Sequence, residues 1–144
     1  MVIVPTKKWH LEDAAEYISH GDREEFNRMQ EGRSIKKVLI GSLGPTSMTI
    51  CKGDRVLATG GSEGCLWFIT THRVTWLTRR EKAELLRLLK QHLEAVRKVN
   101  LPEHMGNCVW EGNEPHIRLL DALGAHWLGT AQSPAGNTFR VFTL

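Results

Sequence analysis

The chain is poor in the residues that build staples, metal clusters and membrane anchors. Its three cysteines, Cys51, Cys65 and Cys108, are odd in number, far apart and without the CxxC spacing of zinc or redox sites. They read as buried free thiols in a reducing compartment. No apolar run approaches the roughly 20 residues of a membrane span, and the start MVIVPTKKWH turns charged too early for a secretory signal. These absences point to synthesis in a cytoplasm. The seven histidines show no HExxH spacing, and His104 with Cys108 has no further ligands nearby, so no metal site is expected. No G-x-S-x-G, Walker loop or dinucleotide fingerprint occurs, and the only tyrosine is Tyr17.

What remains is ordinary globular material. Hydrophobic residues make up 41% and charged residues 24% of 144 positions. That suffices for one domain, 1–144, burying roughly two-thirds of the surface of its unfolded chain. The net charge of +3 is modest and the basic residues are interleaved with acidic ones. A dedicated nucleic-acid surface is therefore not indicated. Four of the five tryptophans, Trp67, Trp76, Trp110 and Trp127, suit core and interface packing.

The apolar spacing yields an α/β order. Val2 to Val4 form a short strand, with Pro5 favouring an edge or a strand end. Leu11, Ala14, Ala15 and Ile18 share one helical stripe. Asp22 with Glu25 three residues on starts a second helix, Arg23 to Glu31, closed by Gly32. Ser34 to Ser42 fits a third helix, although VLI within it also suits a strand. Ser47 to Thr59 is a hairpin turning at Lys52 to Arg55. Gly60, Gly61 and Gly64 connect it flexibly to Cys65–Thr70, a nearly unbroken apolar run expected at mid-sheet. The longest helix runs from Arg79 to about Val99 on Leu85, Leu86, Leu89, Leu93 and Val96. A strand at Asn107 to Trp110 precedes a helix from Glu114 to Leu123, with Asn113 as N-cap, Pro115 in the first turn and Gly124 at C′. Strands near His126 to Thr130 and Thr138 to Thr143 close the chain.

This order resembles the GNAT N-acetyltransferase superfamily, a three-layer α/β sandwich whose mixed sheet splays centrally. Within it, LATGGSEGCLWFITT, the long basic helix, NCVWEGNEPHIRLLDALGAHW and the final FRVFTL look like the small GNAT-like proteins of short-tailed, T7-like bacteriophages, the internal virion protein A type. The resemblance implies a splay that admits acetyl-CoA, with Phe68, Ile69 and Thr70 along the pantetheine arm. It places Arg79, Arg80, Asn113 and His116 near the cofactor, and His72 or Glu63 as the base acting on an amine.

The chain departs from that family in two places. Active members hold the cofactor pyrophosphate on a glycine-rich turn before the long helix, yet no glycine lies between Thr70 and Leu85. Instead Thr78 and Glu81 form a capping box that occupies part of the helix N-terminus. The tyrosine often used as general acid is replaced by Leu120. The expectation is a phage accessory protein that works by contact with other phage virion proteins or a host protein, in the host cytoplasm or the virion interior, with weak or no hold on acetyl-CoA. The alternative is an active acetyl-CoA-dependent N-acetyltransferase modifying a protein or a small amine. Beside their functional readings, Asn113 is explained by capping alone, and His116 and Arg118 by exposure on a first helical turn. His72 fits a solvated loop and Glu63 an exposed turn.

Overall fold

The computed structural model describes all residues from Met1 to Leu144. Seven strands and five α-helices follow the expected order: β1 (Val2–Pro5), α1 (Lys8–Glu16), α2 (His20–Met29), α3 (Ile35–Gly41), β2 (Met48–Lys52), β3 (Arg55–Gly61), β4 (Trp67–Thr70), α4 (Arg79–Val99), β5 (Gly106–Trp110), α5 (Glu114–Ala122), β6 (His126–Gln132) and β7 (Thr138–Thr143). Two short 3-10 turns, His72–Trp76 and Pro102–His104, lead into α4 and β5.

The strands form two antiparallel groups, β1-β2-β3-β4 and β5-β7-β6. β1 is an edge, so the missing donor of Pro5, opposite Met48, costs no ladder bond. The β2–β3 turn places Gly53 at φ +64°, the left-handed conformation that such a hairpin needs.

Side-chain alternation along the strands gives the sheet two apolar faces. On one, Leu11, Ala14, Ala15 and Leu39 of α1 and α3 pack with Cys51 and Val56. On the other, Ile50 and Leu57 pack with Leu77 and with Leu85 of α4. Leu93 and Val96 continue the α4 stripe against Leu66, Met105 and Leu123. The second strand group is covered by α5, with Val109, Leu120 and Phe142 as its core. Helices thus cover both faces of the strands, giving three layers.

β4 and β5 meet only at their starts. The Leu66 N–H donates to the Gly106 carbonyl at 3.2 Å, and Asn107 Nδ2 donates to the Leu66 carbonyl at 2.8 Å. From this junction both strands run the same way and diverge, which makes the combined sheet mixed and splayed.

Several expected boundaries shift. α1 ends at Glu16, and Ile18 instead makes an isolated bridge with Thr71. Gly60 and Gly61 are paired residues of β3, because a Cβ on Gly60 would meet the Trp67 carbonyl at 2.4 Å. β4 stands at the split and its four residues are half-buried, where a fully covered central strand was expected. All three thiols are free, but only Cys51 is buried; Cys65 is exposed and Cys108 intermediate. Trp76 is 65% exposed and packs in no core.

Candidate functional site

The wide end of the splay is closed by α2. Ser19 caps this helix, accepting from the Asp22 N–H at 3.4 Å. The expected start at Asp22 is therefore wrong: Asp22 and Glu25 lie inside the helix, one turn apart on the face toward the sheet. The Thr70 N–H at the end of β4 donates to Asp22 Oδ2 at 2.8 Å, and the Thr70 carbonyl accepts from the Ser19 N–H at 2.9 Å. Across the gap, the Trp110 N–H at the end of β5 donates to Glu25 Oε1 at 2.9 Å. Two carboxylates of one helix thus satisfy the strand-end donors that the diverging strands cannot give each other.

Asn113 and His116 complete the cluster. Asn113 occupies the N-cap position of α5, but its side chain makes no capping bond. It is 1% exposed, and its Nδ2 donates to Asp22 Oδ1 at 3.0 Å and to Glu25 Oε1 at 3.1 Å. His116 likewise departs from an exposed first-turn residue. Its side chain is 9% exposed, that of Asp22 is 4%, and Nδ1 lies 3.0 Å from Asp22 Oδ1. Its ring packs on Phe68, with centroids 4.5 Å apart. The close approach of α2 depends on Gly21, where a Cβ would fall 2.3 Å from Asn113 Oδ1.

The electrostatics follow from this wiring. Burial pushes the Asp22 carboxyl upward. The His116 hydrogen bond and charge, the Thr70 N–H and the Asn113 amide more than offset that and hold it below the usual carboxylate range. Burial and the neighbouring Asp22 charge raise Glu25 instead, against the pull of His116, the Trp110 N–H and Asn113. Burial disfavours the His116 cation, but its bond to Asp22 and the charges of Asp22 and Glu25 override this and raise it. Asp22 is therefore held toward its carboxylate form, beside a His116 ring and a Glu25 carboxyl that both hold their protons more tightly than usual. No buried side-chain nitrogen or oxygen lacks a partner. His116 Nε2, bonded to no protein group, therefore reaches solvent. With Nδ1 turned to Asp22, Nε2 is the ring nitrogen that faces the cleft.

The cleft beside this cluster has a volume of about 700 Å³ and is lined by Phe68, Thr70, Lys82, Trp110, Asn113 and His116 among others. Strand alternation points the N–H and C=O of Phe68 toward the cleft, as in Leu66 and Thr70, while the Thr71 N–H bonds back to Leu57 of β3. Ile69 faces the opposite layer, against α1 and α3. Arg79 and Arg80 are exposed and stand outside the cleft lining, which takes Lys82 from the start of α4. His72 lines a separate hollow with Tyr17, Arg55, Arg73 and Trp76, its Nδ1 3.0 Å from the Tyr17 carbonyl. Glu63 is exposed in the turn before β4, its carboxylate over Gly44. Leu120, in place of the tyrosine, is fully buried.

The residues around the cleft do not fit a pyrophosphate. The capping box is formed, with the Glu81 N–H donating to Thr78 Oγ1 and the Thr78 N–H to Glu81 Oε1, both at 3.1 Å. Glu81 is further paired with Lys52. Sequence reasoning misses Asp22 and Glu25 as site residues, because their spacing reads as a helix start. The usable signal was the thin apolar face of α2: a helix without an apolar stripe must pack by some other means.

Comparisons with known proteins agree with this architecture. The family described as bacteriophage T7, probable scaffold protein Gp13, matches residues 46–129. The probable scaffold protein gp13 of Escherichia phage T7 is 30% identical over 90 residues, 61% of this chain and 62% of that protein. The matching region thus spans about three-fifths of the curated relative. Among solved structures, the ribosomal-protein-S18-alanine N-acetyltransferase of Escherichia coli superposes with a TM-score of 0.63 at 13% identity, over 99% of this chain and 92% of that one. An N-acetyltransferase from Staphylococcus aureus Mu50 gives 0.63 at 13% identity, over 99% and 94%. AAC(6')-Ib, solved in complex with ribostamycin and coenzyme A, gives 0.59 at 13%, over 99% and 92%. Built on the GNAT acetyltransferase fold, the chain belongs to the family of the bacteriophage T7 probable scaffold protein Gp13.

Proposed function

We propose that this protein serves phage particle assembly through contacts with protein partners, other phage virion proteins or a host protein, and that its GNAT cleft does not turn over acetyl-CoA. In this reading it is made in the host cytoplasm and taken into the virion interior. The observation that carries it is the bridging of the splay by α2, in which Asp22 and Glu25 accept from the Thr70 and Trp110 N–H groups. The formed capping box at Thr78–Glu81 and the engagement of His116 Nδ1 with Asp22 support the same reading. The scaffold designation of the T7 relative supports the assembly role. Calorimetry with acetyl-CoA should show no binding at micromolar concentrations, and amine acetylation should be absent. Purified protein should co-sediment with at least one virion protein of its own phage. Micromolar binding together with acetylation of an amine would overturn the proposal.

A second reading, an active N-acetyltransferase acting on a protein or small amine, draws on the cleft of about 700 Å³ and the Phe68 backbone that faces it. It requires α2 to withdraw from the strand ends, and Arg79 and Arg80 to swing toward the cleft. In that case Arg79→Ala with Arg80→Ala should abolish acetyl-CoA binding, and a retained affinity would remove both from the site.

A further inference from the structure

The sequence interleaves its charges, but the fold sorts them. Of the net +3, α4 carries seven basic and three acidic residues, a net of +4. The rest of the chain, twelve basic against thirteen acidic, is net −1. The apolar stripe of α4 is committed to the core through Leu85, Leu93 and Val96, which leaves most of its cations on the outer side. Arg79, Arg80, Arg87, Lys90, Arg97 and Lys98 are exposed at helical spacings that align them along one face. Over 19 residues that face is about 28 Å long.

Its cations are mostly free. Arg97 pairs with Glu94, and Arg87 bonds the neutral Gln91 at 3.3 Å. Arg79, Arg80, Arg87, Lys90 and Lys98 have no carboxylate within 4.0 Å, and unlike the unpaired cations elsewhere they lie in a row on one helix face. Glu84 and Glu94 are the acidic residues on or beside the face; Glu81 is turned to Lys52. Trp76, 65% exposed, stands three residues before Arg79 at one end, where an indole offers a stacking surface.

We propose that this outer face of α4 binds the phosphodiester backbone of nucleic acid without reading its sequence. The composition selects this partner over others. Protein interface cores combine arginine with aromatic and apolar side chains, whereas between Arg79 and Lys98 the exposed face holds cations but no aromatic and no side chain more apolar than alanine. A membrane-surface helix buries an apolar face in lipid, and here that face is already inside the protein. The exposed Val99 and Leu101 sit only at the far end. A row of unpaired cations about 28 Å long is matched in charge and extent by a nucleic-acid backbone. This inference does not depend on the proposed assembly role or on cofactor binding.

The test is fluorescence anisotropy with a labelled 30-nucleotide single strand and a 30-base-pair duplex of unrelated sequences. With five contacts engaged, the logarithm of affinity should fall against the logarithm of salt with a slope of about −3.5 on the single strand or about −4.5 on the duplex. The variant R87E/K90E/K98E lies wholly away from the cleft and leaves Arg79 and Arg80 in place. It should keep the wild-type circular dichroism and melting curve yet bind at least about 30-fold more weakly, with a slope less than half as steep. Preference for either form of nucleic acid supports the proposal and identifies the form; loss of a single-strand preference in Trp76→Ala would assign it to stacking. Absence of binding at about 50 mM salt, equal affinity of the triple variant, or binding to anionic lipid vesicles alone would overturn it.

Discussion

The starts of α2 and α4 carry the same spacing of polar residues and spend it differently. At α4, Thr78 and Glu81 close on each other's backbone N–H groups at the protein surface. At α2, Asp22 and Glu25 leave their own helix uncapped, a task that falls to Ser19, and reach across to Thr70 and Trp110 on two diverging strands. A polar side chain near a helix start serves whichever unsatisfied donor is harder to hydrate. Around α4 those donors are its own and lie near water. Around α2 the strand ends are enclosed by Asn113, His116 and Phe68, so the sheet outcompetes the helix.

The largest expected effect tests the buried side of this contrast. Asp22→Ala leaves the buried His116 ring and the Thr70 N–H without their partner and should cost about 3–5 kcal/mol in urea denaturation. A loss under about 1 kcal/mol would show that the pair contributes no more than a surface cap. Next comes Asn113→Asp. Aspartate caps helices as well as asparagine does, so a capping role predicts little change. The bridging role predicts a loss of about 2–3 kcal/mol, because two donors become a third carboxylate beside Asp22 and Glu25.

The pH profile sharpens the comparison further. His116 is raised above its ordinary 6.5, so its stabilisation is complete below that value and is lost as pH climbs through the folded pKa. Glu25, raised above 4.5, acts in the same direction from a lower pH. Asp22 is lowered from 3.8; its contribution is present above that value and lost only as pH falls through the folded pKa. Stability should therefore decline as pH rises from 6.5, and His116→Gln should flatten that limb in thermal melts across pH. The smallest effect belongs to the surface box: Thr78→Ala should cost about 1 kcal/mol, by an amount nearly constant across the same range above 6.5.

Much of the fold was legible because local rules and global needs agree there. The Lys52–Arg55 turn, the left-handed Gly124 at φ +89° and the Thr78–Glu81 box are satisfied by neighbours within a few residues, and the α4 stripe is marked by its own helical spacing. The candidate site was legible only in part. Phe68, Thr70, Asn113 and His116 were named beside the splay, and the structure gathers them around one cleft. The spacing of Asp22 and Glu25 reads as a helix start, while His72 and Glu63, the bases that the resemblance implies, stand outside that cleft.

By itself, the sequence determined the order of elements, the two apolar faces of the sheet and the closed start of α4. Periodicity and capping are set by contacts within one or two helical turns or between adjacent strands. Only the tertiary structure decided the partners of Asp22, which lie 48 residues away at Thr70 and 94 away at His116. It also decided which cations on the outer face of α4 find no carboxylate, since the Glu81 beside them is drawn to Lys52. A buried carboxylate bonds to whatever donors the packed chain encloses with it, and a surface field depends on which neutralising neighbours the fold carries elsewhere. Both are properties of distance in space, to which spacing along the chain gives no access.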